Sequence, residues 1–405
     1  GDFYELFFED AELVARVLGL ALTSREKGPD AIPMAGFPHH SLDGHLHKLV
    51  KAGYRVAICD QVQDPREAKG LVEREVTRIV TPGTLTDDGL LEPRANNFLA
   101  SVVLVPDRCG LAWVDVSTGD FLICDLDPRQ LADELGRLEP AECLVSDELV
   151  QGETAPAFTG RNGMAVTRRP AWSFHPAQAR DVLLRQFGVA TLEGFGIGDD
   201  TLAVGAAGAI VDYLRETQKT SLDHITRLTP YQRTHSLVID EVTRRSLELV
   251  RTLREGRREA TLLGVLDQTA TPMGSRLLAQ WVGNPLRDVA EMAGRQDAIE
   301  ELLTSSLMRQ DVAGTLGECY DMERLTARIA TRRASPRDLG ALVRTLAVVP
   351  KLKAKLAARK APLLAQLEAD LDLCPELRQH LETALVDEPP LALREGGIIR
   401  PGYNA

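Results

Sequence analysis

Aromatic residues are scarce in this 405-residue chain, at 5% of the total, yet Phe3, Tyr4, Phe7 and Phe8 crowd one end of it. No apolar run reaches the ~20 residues needed to cross a bilayer, which excludes a helical span. No basic, apolar, small-residue leader opens the chain either. The expectation is a soluble, unexported, cytoplasmic protein with no membrane partner. The six cysteines (Cys59, Cys109, Cys124, Cys143, Cys319, Cys374) are scattered without a C-x-x-C pair. That spacing argues against a zinc knuckle or a disulfide frame and for free thiols. A G-x-x-x-x-G-K-[ST] loop is missing, so no phosphate cradle of that type is present. Positive charge is also short: Lys and Arg number 47 against 59 Asp and Glu, a formal net charge of −12. Composition alone therefore speaks against nucleic acid, whose binders usually carry a basic face, although a local basic stripe is compatible with that total.

What is present begins at Gly1-Asp2-Phe3-Tyr4-Glu5, which runs into apolar residues at helical spacing (Leu6, Phe7, Ala11, Val14, Val17, Leu18). Two readings compete. Asp2 followed three residues later by Glu5 is a capping-box pattern, which would start a helix and make Phe3 and Tyr4 core or staple residues. In an extended segment, side chains at i and i+2 share a face. Phe3 would then be an apolar wedge able to stack on a base, with Glu5 reaching that base's edge.

The length suggests about two to four domains. Residues 1–94 read as a mixed α/β domain: a first helix, a strand at Ala21–Ser24, a helix over Ser41–Val50 with Gly53 at its C-terminus, and strands Arg55–Cys59 and Arg78–Val80. His39, His40, His45 and His47 lie close together, but no cysteine and few acids accompany them, so solvated or capping histidines are preferred to a metal site. Residues 95–230 open with strands Phe98–Val105, Gly110–Val116 and Asp120–Cys124, followed by helix Gln130–Leu138 and strand Glu142–Val145. Three strands followed by αβα suggest an RNase H-like layout. A metal-dependent nuclease is the rival chemistry of that layout, with Asp115 and Asp120 as its acids, but no convincing third and fourth acid accompanies them. Gly194–Asp200 departs from the G-x-G-x-x-G order, and Asp200 or Thr201 is better read as the N-cap of helix Leu202–Thr217.

Residues 231–405 carry helical spacing over Asp240–Leu253, Leu262–Gln268, Met273–Val282, Val289–Leu303, Arg309–Leu316, Met322–Ala330, Pro336–Leu346 and Pro362–Asp372. An arginine-rich set (Arg324, Arg328, Arg332, Arg333, Arg337) and a basic run (Lys351, Lys353, Lys355, Arg359, Lys360) invite a nucleic-acid reading, against which stands the ordinary solvated helix face. The chain starts without Met inside what reads as an element, so it is expected to be a fragment or to lack disordered ends.

Gly1–Phe7 (GDFYELF), Ile32–Pro38 (IPMAGFP) and Val80–Thr84 (VTPGT), in that order and spacing, resemble the mismatch-recognition domain of the MutS family of DNA repair proteins. Thr271–Arg276 (TPMGSR) and Ala334–Leu339 (ASPRDL) are similar to runs in that family's helical core. The resemblance implies a multi-domain fold: a recognition domain over 1–94, an RNase H-like connector over 95–230 and an incomplete helical lever core over 231–405. It implies that Phe3 and Glu5 contact a mismatched or unpaired base in duplex DNA, with Gly1, Met34, Gly36 and His40 as weaker DNA contacts. It also implies a homodimer and a MutL-type repair partner. The family's ATP and Mg²⁺ belong to a C-terminal domain whose phosphate loop this sequence lacks. No catalytic residue, metal or cofactor is therefore expected in this chain. A protein-interaction scaffold that touches no DNA is the other alternative.

Overall fold

Extended backbone, not helix, opens the chain. The structure, a computed structural model, describes residues 2–24, 28, 31–63, 70, 72–149 and 163–404. Phe3–Phe7 form strand β1, and helix α1 (Phe8–Leu18) follows it without a side-chain cap. The capping-box reading of Asp2 and Glu5 is thus overturned, and the reason is pairing. β1 lies antiparallel to β3 (Pro33–Pro38) in a sheet ordered β1-β3-β2, with β2 at Thr23–Ser24. The β3 backbone supplies the hydrogen bonds a first helical turn would have left open. The strand expected at Ala21–Ser24 shrinks to the two residues of β2.

A short 3₁₀ turn (His39–Ser41) leads into helix α2 (Leu42–Lys51), which buries Leu46, Leu49 and Val50. Strands β4 (Val56–Gln61) and β5 (Arg74–Val80) then form an antiparallel hairpin, longer than their apolar cores suggested. Leu46, Val50, Ile58, Val80, Leu85, Leu90 and Leu91 make a core cluster against which Tyr4 packs. The Tyr4 hydroxyl donates to Asp60 Oδ1 at 2.7 Å, while the Thr77 hydroxyl donates to Asp60 Oδ2 at 2.6 Å. Asp60 on β4 thereby joins β1 to β5. Burial, the hydrogen bond to Asp60 and the charge of Asp60 together push the Tyr4 phenol up to about 12.

β6 (Phe98–Leu104), β7 (Cys109–Asp115) and β8 (Asp120–Leu126) form an antiparallel run. After helix α3 (Leu131–Leu138), strands β9 (Glu142–Ser146) and β10 (Ala165–Arg169) add in parallel, giving the order β10-β9-β6-β7-β8. Helices α4 (Pro176–Phe187) and α5 (Ala203–Gln218) enclose a core containing Leu99, Val114, Phe121, Ile123, Leu183, Ile210 and Leu214. α5 is capped from another element: the Asp125 carboxylate accepts from the Leu202 and Ala203 amides at 3.0 and 2.8 Å. Neither Asp200 nor Thr201 caps it with its side chain.

Asp115, read as a candidate metal acid, is fully buried and committed elsewhere. Its carboxylate accepts from the Asn97 amide at 3.0 Å and from the Ser117 amide and hydroxyl at 2.9 and 2.6 Å. It shapes the β7–β8 turn, across which it faces Asp120. Among the described residues no group of three or more His, Cys, Asp or Glu is placed to hold a metal ion. The nuclease reading of Asp115 and Asp120 is therefore not favoured.

Glu142, which no local pattern marks, is a fully buried carboxylate with four donors. Oε2 accepts from the Thr81 hydroxyl at 2.5 Å and the Gly83 amide at 3.0 Å. Oε1 accepts from the hydroxyls of Thr167 and Tyr213, both at 2.6 Å. A Cβ on Gly83 would fall 2.8 Å from the Glu142 Cβ. The Val80–Thr84 motif is thus a loop whose glycine lets its backbone reach a buried acid.

These elements, α3 apart, make one of two compact units (Gly1–Glu92, Asn97–Arg129, Glu139–Thr229); the other comprises Pro93–Asn96, Gln130–Leu138 and Pro230–Ala405. The second unit is helical: α6 (Glu241–Ser246), α7 (Leu262–Leu266), α8 (Pro272–Gly283), α9 (Val289–Thr304), α10 (Ser306–Gly317), α11 (Met322–Ala330), α12 (Pro336–Leu356), α13 (Pro362–Asp370) and α14 (Pro375–Ala384). Asp240, Thr261, Thr271, Asp288, Ser305, Asp321 and Ser335 each cap a helix by accepting a backbone amide from its first turn, and with Ser305 as its cap α10 starts three residues before the expected Arg309. The helix expected over Asp240–Leu253 stops at Ser246, because the Glu248 and Leu249 carbonyls accept from the distant amides of Leu262 and Leu263. α12 runs past the expected Leu346 and through Pro350.

Of the arginine-rich set, Arg332 and Arg337 are exposed, as a solvated face requires, but two others are not. Arg324 and Arg328 are 2% and 7% exposed. Arg276, Arg258 and Arg324 donate to the successive carbonyls of Pro93, Arg94 and Ala95 at 2.9, 3.0 and 2.7 Å. Arg276 also grips Asp321 and Glu323, and Arg328 pairs with Asp338. In the basic run, Lys351 pairs with Glu318 while staying 61% exposed, Lys353 pairs with Glu368, Lys355 with Asp311 and Arg359 with Glu301.

Two outcomes follow. Glu142→Gln turns a donor toward the Gly83 amide or toward the two hydroxyls, and is expected to cost about 2–3 kcal/mol in urea unfolding; an unchanged midpoint would contradict the node. The raised Tyr4 pKa means its stabilisation is whole below about pH 10 and is lost as pH rises through about 12. The ultraviolet titration difference between the parent and Tyr4→Phe should show a phenol with a midpoint near 12, and a midpoint near 10 would refute the Asp60 contact.

Candidate nucleic-acid interface

Strand alternation sorts β1 into two faces. Tyr4 and Leu6 are half-buried, whereas Phe3, Glu5 and Phe7 are exposed. Phe3 is 58% exposed, a large fraction for an aromatic ring on a paired strand. Opposite it in β3 stands Pro38, opposite Glu5 stands Gly36, and opposite Phe7 stands Met34. Four of the sequence-derived candidates, Phe3, Glu5, Met34 and Gly36, therefore lie on one face of a single sheet.

Gly36 is required where it is. A Cβ there would fall 2.9 Å from the Tyr4 carbonyl oxygen and 3.7 Å from Glu5 Cγ. The first distance is a clash with backbone, and the second shows the Glu5 side chain leaning across the glycine. His40 is exposed in the 3₁₀ turn beyond Pro38, with its ring centroid 5.9 Å from that of His39. The amide of His39 donates to the Asp2 carbonyl at 2.9 Å, so this turn is tied to the start of β1. Gly1 lies outside the described residues.

Behind the face, Tyr4 and Phe37 sit with ring centroids 6.1 Å apart, and Phe37 lies 4.4 Å from His45. Burial, and then the charge of Lys48, lowers the His45 pKa and favours a neutral ring there. His45 is thus a packing residue of α2, not part of the open face. Tyr4 and Asp60 were missed from sequence as the anchors of β1. The i, i+2 alternation was the signal available for Tyr4, but nothing local marks Asp60 as its partner.

The arrangement is an aromatic ring and a carboxylate, about two strand residues or ~7 Å apart, held outward on a sheet whose other side is fixed. A ring so presented stacks on planar groups, and the carboxylate accepts hydrogen bonds from a base edge. No helix among the described residues is long and apolar enough to cross a membrane.

Comparison with known proteins bears on the whole chain. Family models described as MutS domain I, MutS domain II and MutS domain III match residues 1–89, 97–226 and 242–403. The DNA mismatch repair protein MutS of Rhodopirellula baltica is 46% identical over 427 residues, covering 100% of this chain and 48% of that protein. Those of Symbiobacterium thermophilum and Myxococcus xanthus are 44% and 43% identical over 413 and 408 residues, again covering 100% of this chain and 47% and 46% of theirs. The chain spans about half the length of the curated relatives it matches. With its three domain matches in order along nearly all of its length, the chain belongs to the MutS family.

Proposed function

We propose that the open face of β1 recognises mismatched or unpaired bases in duplex DNA, with Phe3 entering the minor groove to stack on the base and Glu5 contacting its edge. The observation that carries this reading is the exposure of Phe3 on a strand whose opposite face is fastened through Tyr4. Inserting an apolar wedge unstacks a step and kinks the duplex, at a cost of roughly a few kcal/mol. Stacking returns about 1–3 kcal/mol per base. Paired DNA resists the distortion, while a mismatch has already lost part of its pairing and stacking, so selectivity comes from deformability.

Glu5 sharpens the choice. A carboxylate brought among phosphates is repelled unless a base donor satisfies it, which penalises sites that offer none. Gly36, Met34 and His40 are the neighbouring surface that would meet the sugar-phosphate walls. The pairing of Arg276, Arg328, Lys351 and Lys355 with acids fits a protein whose DNA contact centres on this face instead.

In the same reading, residues 95–230 are an RNase H-like connector, supported by the sheet order of three antiparallel strands followed by two parallel ones. The helices after residue 230 serve as a lever core. Homodimerisation, a MutL-type partner and a cytoplasmic setting come with the family. We assign no chemistry to this chain, and the family's ATP and Mg²⁺ to sequence beyond it.

Fluorescence anisotropy with a G·T duplex and its homoduplex tests the reading. Phe3→Ala should weaken mismatch binding by about tenfold or more, from the ~1–3 kcal/mol of stacking, and erase discrimination. Equal loss on both duplexes would reduce Phe3 to packing. Glu5→Ala should strengthen binding to the homoduplex, and no gain there would remove Glu5 from the reader role. Absence of binding to either duplex would favour a scaffold that touches no DNA.

A further inference from the structure

Glu5 does not stand alone on its face. Phe7, two residues on, is exposed on the same side of β1 and faces Met34 across the sheet. Thr23 of β2 stands on the far side of Met34, its hydroxyl donating to the Met34 carbonyl at 3.2 Å. Phe3 faces Pro38. Glu5 therefore lies between two apolar cross-strand pairs, Phe3–Pro38 and Phe7–Met34, and leans over a glycine that carries no side chain.

We propose that Phe7, backed by Met34, is a specificity-determining residue that seals the side of Glu5 remote from Phe3 when the face enters the groove. The proposal rests on the mismatch-reading role of Phe3 and Glu5 given above. Phe7 is not a second wedge. At ~3.3 Å per residue it lies about 13 Å from Phe3, beyond the ~6 Å width of the minor groove. Its place is against the sugar edge of the groove wall, where an apolar ring excludes water without reading a base.

Sealing matters because a hydrogen bond in a dry site is electrostatically stronger, and an unpaired polar group there is costlier. A mispaired base that satisfies Glu5 gains, and a matched pair that leaves the carboxylate unmet loses more. The ring's own exposure argues that it serves this face. Tyr4 and Phe37 turn inward, whereas Phe7 remains 37% exposed.

A double-mutant cycle separates this role from packing. The readout is the ratio of homoduplex to G·T duplex Kd by anisotropy, with thermal melts run alongside. Phe7→Ala should lower the ratio about three- to tenfold, Phe7→Leu should retain it, and Met34→Ala should lower it in the same direction. In a Glu5→Ala background, Phe7→Ala should change the ratio less than about twofold, because no carboxylate remains to be sealed. An equal effect in both backgrounds overturns the proposal. So does a normal ratio in Phe7→Ala while Phe3→Ala abolishes discrimination, in which case the mismatch reading survives. If Phe3→Ala also leaves the ratio unchanged, the mismatch reading itself falls, and this inference with it. Should Phe7→Ala fail to fold, Met34→Ala and Phe7→Leu decide by the same ratio.

Discussion

One hydrogen-bonded contact governs how this protein meets its surroundings: the Tyr4 phenol on Asp60, shared with the Thr77 hydroxyl. It fixes the inner face of β1 to the β4–β5 hairpin. A strand has only two faces, so fixing one defines the other. Phe3, Glu5 and Phe7 are outward because Tyr4 and Leu6 are inward. A one-residue slip in the β1–β3 register would reverse this and turn Phe3 inward. Gly36 guards that register, since a side chain there collides with the Tyr4 carbonyl.

Elsewhere the protein spends its charge on itself. Glu142 gathers four donors around the Val80–Thr84 loop, and Asp115 and Asp125 hold a turn and a helix start. In the helical unit, three arginines hold the consecutive carbonyls of residues 93–95. Asp267 belongs to that network. Burial works against its charge, but hydrogen bonds from Ser275 and Thr269 and the nearby Arg258 hold its pKa down to about 2. Its contribution is therefore whole above the ordinary carboxylate range and is lost as pH falls toward 2. With a net charge of −12, the proposed wedge would draw its selectivity from deformability more than from broad phosphate neutralisation.

Where a signal was local, the sequence was legible. Apolar residues at helical spacing located the helices after residue 240, and apolar, β-rich runs located β6, β7 and β8. Where the decision was made by a distant partner, local pattern misled. Asp2 and Glu5 look like a cap, but the His39 amide claims the Asp2 carbonyl and Glu5 pairs with β3. Arg324 and Arg328 look solvated, but Ala95 and Asp338 claim them. Glu142 is one acid among many until Thr81, Gly83, Thr167 and Tyr213 converge on it. The candidate face was readable only as a choice between two geometries, and tertiary pairing made the choice.

The most direct test of the account is where the residue-3 side chain lands on DNA. With p-benzoylphenylalanine in place of Phe3, irradiation on a duplex carrying one G·T pair should crosslink the mispaired base or its immediate neighbour. The matched duplex should give little product. Crosslinks of equal yield on both duplexes, spread along their length, would contradict the claim that this ring is a probe of weak points in the helix.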